Sequence, residues 1–183
     1  LFKARMITWT KDGGKSWKRV LRVYVRKRYI GIADLAMDPT NNQVLYACAY
    51  DRIRKPWTYR MGGLGSGIYK TEDGGKSWRK LKKGLPKGIL GRIGIAIYRK
   101  NPDILYATIE NGNKRGMSRM DREREVRYGI SSKGMIGGEV YRSDNGGKLW
   151  RKISPDGKSI GGEPAYYYGQ IVIDPNNDQV VHV

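Results

Sequence analysis

The sequence predicts an all-β chain, an arc of a β-propeller built from four-stranded antiparallel blades and cut from a larger ring. One eight-residue motif occurs three times, as Thr10-Lys-Asp-Gly-Gly-Lys-Ser-Trp17, Thr71-Glu-Asp-Gly-Gly-Lys-Ser-Trp78 and Ser143-Asp-Asn-Gly-Gly-Lys-Leu-Trp150. A second element recurs around Pro39, Pro102 and Pro175, and its spacings of 63 and 73 residues keep step with the 61 and 72 between the motif tryptophans. Two markers that move together define a structural period. The segments between them are short apolar runs bounded by turn residues, with no sustained helical period apart from a short turn over 120–126.

Four strands fit into each period. Gly31–Asp38 and Arg92–Tyr98 are nearly continuous apolar runs with small residues, as expected for a strand covered on both faces. The Asp-Pro-Thr-Asn-Asn and Lys-Asn-Pro-Asp clusters that follow are turn chemistry, in which Pro sets φ and Asn or Asp bonds local backbone. Val44–Tyr50 and Ile104–Ile109 form the second strand, Gly67–Thr71 and Glu139–Ser143 the third, and the motif Trp opens the fourth. A blade of this kind places its first strand along the central channel and its fourth at the outer edge. The chain then divides into a partial blade over 1–29 (third and fourth strands), complete blades over 30–90 and 91–165, and a partial blade over 166–183 (first and second strands).

The motif has a physical reading of its own. Two glycines allow the positive φ of a tight turn between the third and fourth strands. The carboxylate can accept backbone N–H bonds across the turn, the Ser or Thr hydroxyl can do the same, and the indole can fold over the hairpin. Asp12, Gly14 and Trp17, then Asp73, Gly75 and Trp78, then Asn145, Gly147 and Trp150 are therefore read as structural. The third copy, with Asn145 for Asp and Leu149 for Ser, is expected to be less tightly held. The alternating ligands and terminal Glu of a calcium-binding loop are missing.

Ser/Thr-x-Asp-x-Gly-x-x-Trp resembles the Asp-box, or BNR repeat, of sialidases, xyloglucanase-type glycoside hydrolases, sortilin-type receptor ectodomains and a photosystem II assembly factor family. The chain is most similar to bacterial sortilin-like or glycosyl-hydrolase-like repeat proteins through Ile32-Ala-Asp-Leu-Ala-Met-Asp-Pro39, Lys55-Pro-Trp57, Gly65-Ser-Gly-Ile-Tyr-Lys70, Gly84-Leu-Pro-Lys-Gly88 and Gly91-Arg-Ile-Gly94. The likeness covers residues 8–183. It implies a propeller fold, an exported (periplasmic or extracellular) parent protein, the remaining blades of that chain as partners, and either ligand binding or glycoside hydrolysis.

Composition narrows the chemistry. A single cysteine, Cys48, excludes an internal disulfide framework and a multi-cysteine zinc site, and a single histidine, His182, excludes a two-histidine metal site. A Ser-His-Asp or Cys-His nucleophile system is excluded on the same count. No metal and no cofactor is expected, and no run is long and apolar enough for a membrane helix. Gly62-Gly-Leu-Gly-Ser-Gly67 leads into a strand and lacks the Gly-Lys-Ser/Thr end of a phosphate-binding loop, so it reads as a flexible or close-packed entry to the third strand.

The 36 Lys and Arg against 17 Asp and Glu give a net charge of +19, which invites an anionic partner. Nine cations in or just after the motifs, Lys15, Lys18, Arg19, Lys76, Arg79, Lys80, Lys148, Arg151 and Lys152, oppose edge-to-edge aggregation. The rest gather in the connections from fourth to first and from second to third strand. Because strands alternate in direction, those connections share one end of the ring. Interleaved with aromatics, Arg54, Trp57, Tyr59, Arg60, Arg92, Arg115, Tyr166 and Tyr167 are the candidate contacts for a protein, peptide or polysaccharide ligand. The alternative is that they simply pack long loops together. Nucleic acid is not expected, since no DNA- or RNA-reading signature accompanies the charge.

Glycoside hydrolysis needs two carboxylates about 5–9.5 Å apart. Asp34, at the start of a channel-lining strand, is the best-positioned acid, with Asp51, Asp121 and Glu163 on the loop-bearing side. The competing role for Asp34 is a buried acid satisfied by neighbouring backbone or by Arg92. Two functions follow: a binding scaffold working through the basic, aromatic loop face, or a β-glucan- or xyloglucan-type hydrolase whose acids lie partly outside this segment.

Overall fold

The computed structural model describes residues 6–114, 116, 118–120, 134–161, 167 and 169–183. Every element named within them is a strand. Of the short turn expected over 120–126, only residue 120 is described, and 119–120 are helical. The first sheet is a hairpin of β1 (Ile7–Trp9) and β2 (Lys18–Leu21). The second runs β3 (Val23–Val25), β4 (Arg28–Met37), β5 (Leu45–Tyr50), β8 (Gly67–Thr71), β9 (Arg79–Lys80) in that spatial order. A separate hairpin, β6 (Ile53–Lys55) and β7 (Thr58–Arg60), fills the β5–β8 connection. The third sheet is β10 (Leu90–Ile97), β11 (Leu105–Lys114), β12 (Met135–Ser143), β13 (Arg151–Lys152), and the last is β14 (Val172–Ile173) with β15 (Val181–His182).

All pairings are antiparallel between neighbours, which is the up-and-down order of a propeller blade. The chain is all-β, an arc of a β-propeller. The cores lie between successive sheets, because side chains in a strand alternate between its two faces. In β5, Ala47 and Ala49 pack toward the β1–β2 hairpin with Ile7, Leu21 and Ile30, while Tyr46 and Cys48 pack toward the third sheet. In β11, Leu105, Ala107 and Ile109 face back to the second sheet, and Tyr106 faces the last with Ile171 and Ile173.

Opposed Tyr and cation side chains stitch the sheets together. Tyr46 and Lys70 face each other across β5 and β8 and both donate to the Gly146 carbonyl of the next sheet, each at 3.0 Å. Tyr106 and Arg142 occupy the matching places on β11 and β12. They reach Asp178, the Tyr106 hydroxyl donating to its carbonyl at 2.6 Å and Arg142 Nη2 pairing with its Oδ2 at 2.6 Å.

The two ends of the arc are distinct. The motif turns bond the β4–β5 and β10–β11 turns, with Gly74 N–H donating to the Gln43 carbonyl and Gly146 N–H to the Asp103 carbonyl, both at 2.9 Å. At the other end the long connections meet: Gly63 N–H donates to the Leu90 carbonyl at 2.9 Å and Gly112 N–H to the Ile89 carbonyl at 3.0 Å.

The cation-rich connections around 22–29 and 51–60, read from the sequence only as links between blade strands, fold as hairpins over 23–30 and 53–60. β3 folds back on β4 through a two-residue turn, Val25 opposite Arg28, with Arg26 and Lys27 both at positive φ of 48° and 61°. That is the geometry that usually calls for Asn-Gly, so the turn signal was hidden by two cations in its place.

Candidate functional site

Asp51 anchors the loop end. It follows directly on β5, and its side chain is buried. Its Oδ1 accepts from Arg28 Nη2 of β4 at 2.6 Å and from Arg60 Nη2 of β7 at 2.7 Å. Oδ2 accepts the Gly65 N–H at 3.1 Å, and the Asp51 N–H donates to Ser66 Oγ at 2.9 Å. The glycine-rich segment is close-packed because the carboxylate presses on its backbone: a Cβ at Gly63 would stand 2.3 Å from Asp51 Oδ2. One buried charge thus holds together the β3–β4 hairpin, the β6–β7 hairpin and the entry to β8.

Above this node the two hairpins present cations and aromatic rings. Arg22 lies 3.7 Å over the Tyr29 ring, and Tyr24 and Tyr29 stack with centroids 4.8 Å apart. On the other hairpin Arg52 approaches the Tyr59 ring at 5.5 Å, and Lys55 stands 5.4 Å from the Trp57 ring. Trp57 sits in the two-residue tip between Lys55 and Thr58 and is 77% exposed. A cleft of about 310 Å³ is lined by Gly31, Ile32, Ala33, Tyr50, Arg52 and Arg54. The Tyr50 hydroxyl is buried without a hydrogen-bond partner among the described residues. Burial first, then the Glu110 charge, raises that phenol well above its ordinary range, so it stays a proton donor.

The structure brings Arg54, Trp57 and Tyr59 to the surface of one hairpin, whereas Arg60 turns inward to Asp51. Arg92, on β10, is half-buried and close enough to the Tyr50 phenol to act on its charge. Tyr167 is 63% exposed. Arg115, Tyr166, Asp121 and Glu163 lie outside the described residues.

The acids at this end are engaged. Asp34 Oδ1 accepts the Leu35 N–H at 2.9 Å and its Oδ2 accepts the Ile95 N–H of the adjacent sheet at 3.0 Å, so backbone, and not Arg92, occupies it. Glu110 Oε2 accepts the Arg92 N–H at 3.3 Å. Burial disfavours the Glu139 charge, yet hydrogen bonds from Asn111, Lys152 and Tyr141 outweigh it and hold the carboxyl below its usual range. Among the described residues no group of three or more His, Cys, Asp and Glu could hold a metal ion, and no helix is long and apolar enough to cross a membrane.

At the opposite end the motif residues bond as a unit. Asp12 Oδ1 accepts from the Thr10 hydroxyl at 2.7 Å and the Ser16 N–H at 2.9 Å, and Thr10 Oγ1 accepts the Gly14 N–H at 2.9 Å. The Thr71, Asp73, Gly75 and Ser77 set repeats these bonds. In the third copy Asn145 keeps two of them, from Ser143 at 3.0 Å and the Leu149 N–H at 2.9 Å.

Sequence reasoning missed Arg26, Lys27 and Tyr50, and it read Asp51 only as a possible acid. The alternation of Val23-Tyr-Val and Arg28-Tyr-Ile around two residues was the available signal for the first pair. The pairing of Asp51 with Arg28 and Arg60 had none, since the partners lie 23 and 9 residues away.

Fold and geometry define the class: successive antiparallel sheets in a propeller arc, with turn motifs at one end and cationic hairpins at the other. Among solved structures the chain is similar to the GH74 xyloglucanase of Xanthomonas campestris, with a TM-score of 0.54 and 20% identity over 93% of this chain. It is also similar to an ancestral GH74 enzyme, with a TM-score of 0.57 and 16% identity over 97% of this chain. It spans about a fifth of the length of these enzymes, 21% and 18% respectively. No protein-family model matches the sequence. No curated protein matches it.

Proposed function

We propose that these blades belong to an Asp-box propeller of the sortilin-like or glycosyl-hydrolase-like kind that binds its ligand, a glycan ahead of a peptide or protein, at the hairpin end. The observation that carries this reading is Trp57: an indole 77% exposed at the tip of a two-residue turn, on a hairpin anchored to a buried charge. A flat apolar face held rigidly among cations suits a pyranose ring, whose C–H face stacks while its hydroxyls reach Arg54 and Tyr59. Arg60 contributes from beneath by holding the hairpin in place. Replacing Trp57 by Ala should leave the melting temperature within about 1 °C, since an exposed side chain changes stability little, and weaken glycan binding by about tenfold. A lowered melting temperature with unchanged affinity would make Trp57 a packing residue and remove the proposed face.

The second reading, a xyloglucan- or β-glucan-type hydrolase with acids partly beyond this segment, is favoured by the likeness to two GH74 enzymes. Reducing-sugar release from β-glucans by the parent protein, abolished by Asp34→Asn, would support it. Unchanged release would exclude Asp34 from the chemistry; because Asn keeps an acceptor for only one of the two backbone N–H groups, an unchanged melting temperature must accompany any loss of release.

A further inference from the structure

We infer that the hairpin end recognises an acidic polysaccharide, a chain carrying carboxylate or sulfate groups, through Arg26 and Lys27 together with the Trp57 hairpin. This rests on the proposed glycan-binding reading and narrows its ligand.

The negative charge of this corner is already spent. Asp51 is buried and shared by Arg28 and Arg60, so it neutralises nothing at the surface. The exposed cations around it are Arg22, Arg26 and Lys27 on the β3–β4 hairpin and Arg54 and Lys55 on the β6–β7 hairpin. None of these five makes an ion pair with a described residue, while Arg22 and Lys55 lie over aromatic rings. A neutral glucan covering them would displace their water and return no counter-charge, which disfavours binding. A uronate or sulfate returns charge-assisted hydrogen bonds.

Backbone conformation points the same way. Arg26 and Lys27 hold φ of 48° and 61°, a region that costs residues with a Cβ and that glycine or asparagine would occupy with less strain. Neither side chain makes a hydrogen bond, ion pair or ring contact with a described residue. The strained pair therefore places two long cations at the tip of the β3–β4 hairpin, which Asp51 ties through Arg28 to Arg60 at the base of the β6–β7 hairpin.

Stacking geometry separates a glycan from a nucleic acid. Successive bases need successive open rings. Here Arg22 lies 3.7 Å over the Tyr29 ring, Arg52 5.5 Å from the Tyr59 ring and Lys55 5.4 Å from the Trp57 ring, so each carries a cation, and Trp57 is set apart by its 77% exposure, the greatest of the aromatic side chains on these two hairpins. One ring with flanking cations matches one acidic sugar.

The test measures binding of the 183-residue chain to polygalacturonate, heparin, neutral xyloglucan and single-stranded poly(dT), each at about 0.05 and 0.5 M NaCl, where screening lengths differ several-fold. The informative variant is the double substitution Arg26→Asn and Lys27→Gly, which relieves the turn. It should melt at the same or a higher temperature, yet bind polygalacturonate or heparin about tenfold or more weakly and with a shallower salt dependence. Xyloglucan bound as tightly as the acidic chains, without salt dependence, would overturn the ligand class and leave the glycan face standing. Preference for poly(dT) would overturn it in favour of nucleic acid. Binding to none of the glycans would overturn both this inference and the reading beneath it. A variant of unchanged affinity would remove Arg26 and Lys27 from recognition.

Discussion

Asp51 and Asp73 are the same residue type put to opposite uses by their surroundings. Asp51 is buried between two guanidinium groups, where loss of the carboxylate would strand the buried Arg60 charge. Asp12 is exposed and Asp73 partly exposed, and both work as turn locks. The Ser16 and Ser77 hydroxyls, followed by the N–H groups of the same residues, hold these two carboxyls far below the ordinary carboxylate range. A depressed folded-state pKa means that the unfolded chain takes up protons first. The locks therefore contribute fully above about pH 4, the unfolded value, and their contribution is lost as pH falls from there through the lowered folded value. Chemical denaturation from about pH 5 to pH 2 should show stability falling over that lower window. An Asp12→Asn and Asp73→Asn double variant, with the residue that the third motif already carries, should show a flatter profile. An unchanged profile would assign the acid sensitivity to the ion pairs.

The three motif hairpins are one element in three packing environments. Trp17 is 63% exposed, Trp78 is half-buried against the β1–β2 hairpin, and Trp150 is 2% exposed in the core between the second and third sheets. Each indole of a described pair packs onto the sheet before it in the chain, and Trp17 has no such sheet among the described residues. The third copy was expected to be the loosest. It does lack the hydroxyl bond that Ser16 and Ser77 supply, because Leu149 has none to give. Its tryptophan is nonetheless the most deeply buried, and burial of an indole outweighs one exposed hydrogen bond. Trp150→Ala should cost about 3–5 kcal/mol in denaturant unfolding, and Trp17→Ala less than about 0.5 kcal/mol. Equal losses would mean that the motif Trp stabilises its own turn and not the contact between sheets.

For the whole molecule, a net charge of +19 on 183 residues implies self-repulsion that ordinary salt relieves. Raising ionic strength from about 0.01 to 0.15 M shortens the screening length from about 30 to 8 Å, so the melting temperature should rise with NaCl; a fall would show that surface ion pairs dominate. The four-strand order of a blade and the separation of turn motifs from long connections were legible in the chain itself, whereas β3, β6 and β7 were not, and β11 and β12 run five and four residues past the expected bounds at 109 and 139. Period, apolar runs and turn residues are local properties, and the two in-step repeats exposed them. The hairpin at 22–30 was not legible, because two cations stand where Asn-Gly would have signalled the turn. Neither was the fate of the acids. Whether Asp34 meets a substrate or the Ile95 N–H, and whether Arg60 faces solvent or Asp51, depends on which sheet or hairpin lies alongside. The sequence by itself determined the blade, since hydrophobic alternation and turn chemistry act between near neighbours. Only the tertiary structure decided which charges are consumed inside and which remain outside, since pairing and desolvation depend on distances between residues remote along the chain.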